Sequence, residues 1–118
     1  MIAIPHQAKI FVCVSSIDFR CGINTLGGIC RDKLKEDPMS GAIFVFKNKG
    51  RNTLKILAYD GDAFWLHIRR LSRGRIKWWP TNATGASSRL EAKELQVLIL
   101  GGNPVGAEFT EDWKKLIK

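Results

Sequence analysis

The chain switches between two hydrophobic rhythms. Residues 9–14, Lys-Ile-Phe-Val-Cys-Val, are β-branched and apolar almost without interruption and predict a buried strand. A loop, 15–22, follows. From Asn24, a fair N-cap, to about Glu36, the positions of Ile23, Leu26, Ile29, Cys30 and Leu34 predict a helix with one apolar face. Gly27 and Gly28 weaken that helix but allow close packing against a sheet. Pro38 ends it, because the residue before a proline avoids the helical region. The period then becomes two. Residues 42–46, 53–59, 63–71 and 76–79 predict four strands, separated by a basic turn at 47–52 and tight turns at 60–62 and 72–75. Turns this short force antiparallel neighbours, so the middle of the chain is expected to be a meander. A small-residue linker spans 80–87. Ser88-Arg89-Leu90-Glu91 has the form of a capping box opening a helix, which Leu95, Leu98 and Ile99 continue and Gly101-Gly102-Asn103-Pro104 closes. A short last helix is predicted from Thr110, with Glu111 and Asp112 at its start and Lys114, Lys115 and Lys118 at its end, the order that suits the helix dipole. The expected architecture is a single α+β domain, a mostly antiparallel β-meander sheet of about five strands packed against two or three helices.

Alternation assigns sides to the sheet. It places Leu54, Ile56, Ala58, Phe64, Leu66, Ile68, Ile76 and Trp78 inward. The outward set is Lys55, Leu57, Tyr59, Trp65, His67, Arg69, Lys77 and Trp79.

Charge sharpens this picture. The 118 residues carry a net charge of +8, unevenly spread. Residues 42–80 hold Lys47, Lys49, Arg51, Lys55, Arg69, Arg70, Arg73, Arg75 and Lys77 against only Asp60 and Asp62, while the flanking thirds are close to neutral. A concentrated basic segment attracts polyanions, of which nucleic acid is the commonest in a cytosol. Cations interleaved with flat rings can pair with phosphates and stack on bases, so Trp65 and Trp79 join the nine cations as the expected nucleic-acid-binding set. The competing reading is an aromatic sheet face that meets a protein partner, with the charge incidental.

Enzymatic chemistry finds little support. A phosphate-cradling loop ending in Lys-Ser/Thr and a Gly-x-Ser-x-Gly elbow are both missing, and the two histidines, His6 and His67, have no patterned nucleophile nearby. Asp18, Asp60 and Asp62 are the only loop carboxylates that could serve a two-metal site, and turn chemistry accounts for the last two. Cys13, Cys21 and Cys30 have neither disulfide nor zinc spacing and are expected to be reduced structural thiols. No metal, cofactor or catalytic residue is expected. With no long apolar run and no signal-like N-terminus, a cytoplasmic address without membrane contact is expected.

Four spaced motifs point to a family. Asp18-Phe19-Arg20-Cys21-Gly22-Ile23-Asn24-Thr25-Leu26 is the first, and Asp37-Pro38-Met39-Ser40-Gly41-Ala42-Ile43-Phe44-Val45-Phe46 the second. The third is Lys55-Ile56-Leu57-Ala58-Tyr59-Asp60-Gly61, and the fourth runs from Arg69-Arg70-Leu71 through Arg73-Gly74-Arg75 to Trp78-Trp79-Pro80. Together they resemble the second-reading-frame accessory protein of insertion-sequence 66 type elements, a family often called TnpB and unrelated to the RNA-guided nuclease of that name. The resemblance covers about residues 2–101 in order and leaves 104–118 as a tail. It departs from the family pattern at Cys21, where a basic residue is common, and at Asn103-Pro104, where Asp-Trp is common. It implies a non-enzymatic role in transposition beside a separate transposase and the element's other accessory protein. It also implies shared but undefined roles for Asp18, Arg20, Asp60 and Gly61.

Overall fold

A computed structural model describes residues 7–81 and 85–100. The predicted stop at 101–104 and the predicted last helix from Thr110 lie outside the described residues. The elements are β1 (Ile10–Cys13), α1 (Ile23–Asp32), β2 (Ile43–Lys47), β3 (Thr53–Tyr59), β4 (Phe64–Arg70), β5 (Ser87–Leu90) and α2 (Ala92–Ile99). The five strands form one sheet in the order β4-β3-β2-β1-β5. β2, β3 and β4 are the expected meander. β1 runs parallel to β2, with α1 as the crossover that such a pair requires. β5 adds antiparallel to the far side of β1. The α+β class, the mostly antiparallel sheet and the strand number agree with expectation.

Both faces of the sheet are covered. On one, Phe11, Cys13, Phe44, Phe46 and Leu57 pack against Leu26, Cys30 and Leu34 from α1 and the turn after it, and Phe11 stacks on Phe44 with centroids 5.6 Å apart. On the other, Ile10, Val12, Ile43, Val45, Leu54 and Ile56 meet Leu95, Leu98 and Ile99 of α2. Such double coverage explains why the central strands read as continuous apolar runs rather than clean alternations.

Three expectations need correction. Residues 76–79 are not a strand beside β4. Ile76 instead donates its N–H to the Arg51 carbonyl (2.6 Å), and the segment then crosses the α2 side of the sheet toward β5. Ile76 and Trp79 are buried in the α2-side core, and Trp79 Nε1 donates to the Cys13 carbonyl at 2.9 Å. Trp79 is therefore a core plug rather than an outward ring, and Trp78 is only half-buried.

Second, Ser87–Leu90 is a strand, not a helix start. The reciprocal cap sits one turn later, where Glu91 caps α2 and the Glu94 carboxylate accepts the Glu91 N–H at 2.8 Å. Pairing with β1 overrides the local helix signal.

Third, β3 and β4 share faces in the opposite sense to the expected one. Four residues separate Tyr59 from Phe64, and these two pair, so even positions of β3 lie opposite odd positions of β4. Leu54 and Ile56 consequently share a face with Arg69 and His67, while Lys55 and Leu57 share the other with Ile68 and Leu66.

Candidate nucleic-acid interface

The hairpin geometry gathers most of the cations at one end of the sheet. β2 ends at Lys47, β3 begins at Thr53 and β4 ends at Arg70, so the two basic turns emerge side by side. Backbone hydrogen bonds tie them together: Leu71 N–H donates to the Asn52 carbonyl (2.8 Å) and Ile76 N–H to the Arg51 carbonyl. The first turn is locked by Asn48. Its Oδ1 accepts the N–H groups of Asn52 (3.0 Å) and Thr53 (3.2 Å), and its Nδ2 donates to Asn52 Oδ1 (2.7 Å). This lock holds Arg51 at a φ of 59°, a left-handed conformation that a long side chain rarely adopts. The second turn pivots on Gly74, with a φ of 71°.

At this end Lys49, Arg70, Arg73, Arg75 and Lys77 are exposed, and Arg69 projects from the last stretch of β4. Lys47 and Arg51 are half-buried. Lys47 Nζ lies 5.6 Å from the centre of the Trp79 ring, and burial followed by the charge of Arg51 pushes its pKa down. The second cause is repulsion between the like charges of Lys47 and Arg51.

Not every expected residue belongs to this end. Lys55, expected outward on an open face, is buried at 6% exposure under α1-side structure. Its Nζ donates to the carbonyls of Phe19 and Cys21 (2.6 Å for the latter) and so anchors the loop before α1. Trp79 is internal, as described. Trp65 is half-exposed but stands five residues from Arg70 along β4, roughly 17 Å at strand rise. There its Nε1 donates to Asp60 Oδ2 at 2.7 Å. Asp60 Oδ1 also accepts the N–H groups of Asp62 (2.9 Å) and Ala63 (2.8 Å), closing a turn in which Gly61 has a φ of 94°. Trp65, Asp60 and Gly61 thus build a tight turn at the opposite, acidic end of the meander. The Trp65 bond, then these backbone donors, hold the Asp60 carboxyl below its usual range.

One residue missed by patterning joins the basic end. Ile17 N–H donates to the Lys47 carbonyl (2.9 Å), which brings the 15–22 loop beside Asn48 and Lys49. Phe19 on that loop is 60% exposed, and the Arg20 guanidinium lies 6.0 Å from its ring centre. Asp18 takes two hydrogen bonds from the Arg20 side chain (3.1 and 3.3 Å) and one from its backbone N–H (2.8 Å), which lowers the Asp18 pKa. Asp18 and Arg20 therefore clamp the loop so that Phe19 stands out from it. The flat ring beside the cations is Phe19, and only its place between two opposite charges marked it in the sequence.

Among the described residues, no group of three or more His, Cys, Asp or Glu side chains could hold a metal ion, and no helix is long and apolar enough to cross a membrane. The chain matches the family model described as IS66 Orf2 like protein over residues 8–107. It is also similar to two curated proteins of Sinorhizobium fredii (strain NBRC 101917 / NGR234), "Uncharacterized protein y4hO" and "Uncharacterized protein y4jC". Each is 29% identical over 101 residues, covering 86% of this chain and 86% and 85% of the respective relatives. No solved structure matches.

Proposed function

Since the chain belongs to the IS66 Orf2-like family, whose members serve transposition as accessory proteins, we propose that it does so by binding DNA through the basic end of its meander. The observation that carries the reading is the hydrogen-bonded pairing of the two basic turns, which sets Lys49, Arg70, Arg73, Arg75 and Lys77 around one edge. The braced double turn presents these cations from a backbone that is already ordered, so less backbone entropy is lost on binding. Phe19 offers a ring for stacking where a base is unpaired or frayed. Lys55, Trp65 and Trp79 have structural roles in this reading, and the catalytic steps fall to a separate transposase.

The test is fluorescence anisotropy with a labelled duplex from an element end, at two salt concentrations. The expected result is salt-sensitive binding that the double reversal Arg73→Glu, Arg75→Glu weakens by about tenfold or more. Affinity that is indifferent to both salt and the reversal overturns the reading. The second reading, an adaptor that holds the transposase without touching DNA, predicts no duplex binding together with co-purification of the transposase from nuclease-treated lysate.

A further inference from the structure

β4 lies at the edge of the sheet, and its outer side meets no other strand among the described residues. Its inner hydrogen bonds belong to odd positions, since the Ala63 carbonyl accepts from Asp60 and the Leu71 N–H donates to Asn52. In an antiparallel ladder the bonded positions alternate, so Phe64, Leu66, Ile68 and Arg70 turn their backbone N–H and C=O groups outward. Natural sheets usually blunt such an edge with proline, a bulge, a central charge or shortness. β4 uses none of these: it is seven residues long, pairs with β3 without interruption, and has its charges only at its C-terminal end. It also exposes Ile68 (59%) and Trp65 (53%). An edge of this kind is open to pairing.

We propose that β4 pairs antiparallel with β4 of a second copy of this chain, joining two five-stranded sheets into one across a two-fold axis at Leu66. Charge complementarity selects this occupant. The turn before β4 carries Asp60 and Asp62, and the strand ends in Arg69 and Arg70. Antiparallel self-pairing lays the acidic start of each copy against the basic end of the other.

Only registers that keep like faces together are allowed, which leaves steps of two residues. With Leu66 opposite itself, Phe64 lies opposite the second copy's Ile68 and covers its exposed side chain. Trp65 lies opposite His67, extending the ring stack these residues already form within one strand at 6.3 Å. Asp62, in the turn two residues before the strand, comes beside Arg70. A shift by two residues, with His67 on the axis, would instead set Phe64 against Arg70. The central register also matches outward-facing backbone groups with each other, giving about six inter-copy hydrogen bonds from residues 64, 66 and 68. Arg70 is shared with the nucleic-acid reading, but Lys49, Arg73, Arg75 and Lys77 stay outside the paired strand, so a failed dimer leaves that reading standing.

Sedimentation equilibrium of the full chain tests it. A dimer is expected. Because a two-fold axis repeats every contact, Asp62→Arg or Arg70→Asp alone should weaken dimerisation by roughly tenfold by setting like charges opposite each other twice. The double variant Asp62→Arg, Arg70→Asp should restore it, and Ile68→Lys should leave monomers with unchanged far-ultraviolet circular dichroism. A wild-type chain that stays monomeric overturns the proposal, including the case in which its own residues 101–118 occupy the edge. So does a dimer that the single reversals leave intact, or one that the double reversal fails to restore.

Discussion

Lys55 sits in the middle of β3 with its ammonium group spanning two backbone carbonyls of the loop before α1. Its four-carbon stem packs in the sheet while its head satisfies oxygens that a helix-entry loop would otherwise leave to solvent. Alternation separates this side chain from Leu54 and Ile56, as the structure does, but sets it on an open face with Trp65, His67 and Arg69, whereas it shares a covered face with Leu66 and Ile68; a lysine in a strand usually marks a wet surface. Lys55→Met keeps the volume and removes the charge-assisted bonds. It is expected to cost about 2 kcal/mol, read as a lower urea midpoint, together with faster proteolysis after Arg20 as the loop loosens. An unchanged midpoint would mean that the Asp18–Arg20 clamp alone orders the loop. Trp79 teaches the same lesson in reverse: period two set it outward, but its stretch is not a strand, and the ring instead fills the α2-side core with its N–H on a β1 carbonyl.

Among the elements, β1 to β4 and α1 were legible because their hydrophobic period is sustained and their ends are punctuated by glycine, proline and asparagine. β5 was not, since Ser-Ser-Arg-Leu has no strand signal of its own and is recruited by the exposed edge of β1. The relation between β3 and β4 also lay beyond local pattern, because the turn length fixes the register and two apolar faces gave no reason to prefer either match. That turn is expected to respond to acid. Asp60 has a depressed pKa in the folded chain, so its contribution is present above the unfolded carboxylate value near ~3.9 and is lost as pH falls through the lower folded value. The Trp65 indole N–H resonance is expected to titrate over that acidic range in the wild type and to stay fixed in Asp60→Asn. A Trp65 resonance that ignores both pH and substitution would show that the bond does not hold in solution.

For the whole molecule, two cores on opposite faces of one thin sheet set what solvent can reach. Cys13 and Cys30 are buried on the α1 side, whereas Cys21 is only half-buried on the loop. Burial, then the nearby Cys13, pushes the Cys30 thiol up to about 12. A thiol reagent at neutral pH is expected to modify one cysteine readily in the native chain and all three in denaturant. Three fast thiols in native buffer would mean that the α1 face opens on the labelling timescale.

The basic end was visible in the sequence as a cluster of charge, but not as a place. Only pairing of the hairpins could decide that two turns more than twenty residues apart share one end while Trp65 stands at the other.

The crossing segment pinned by Trp79 has a consequence for how the chain is made. It delivers β5 to β1, so Ile10 finds its partner Leu90 only after some 80 residues have intervened. Closing so long a span is slow, and β1 keeps one bare flank during synthesis until the last described strand emerges. A ribosome that stops short of residue 90 therefore releases a product with an open sheet margin and half its interior unroofed, one destined for aggregation or proteolysis.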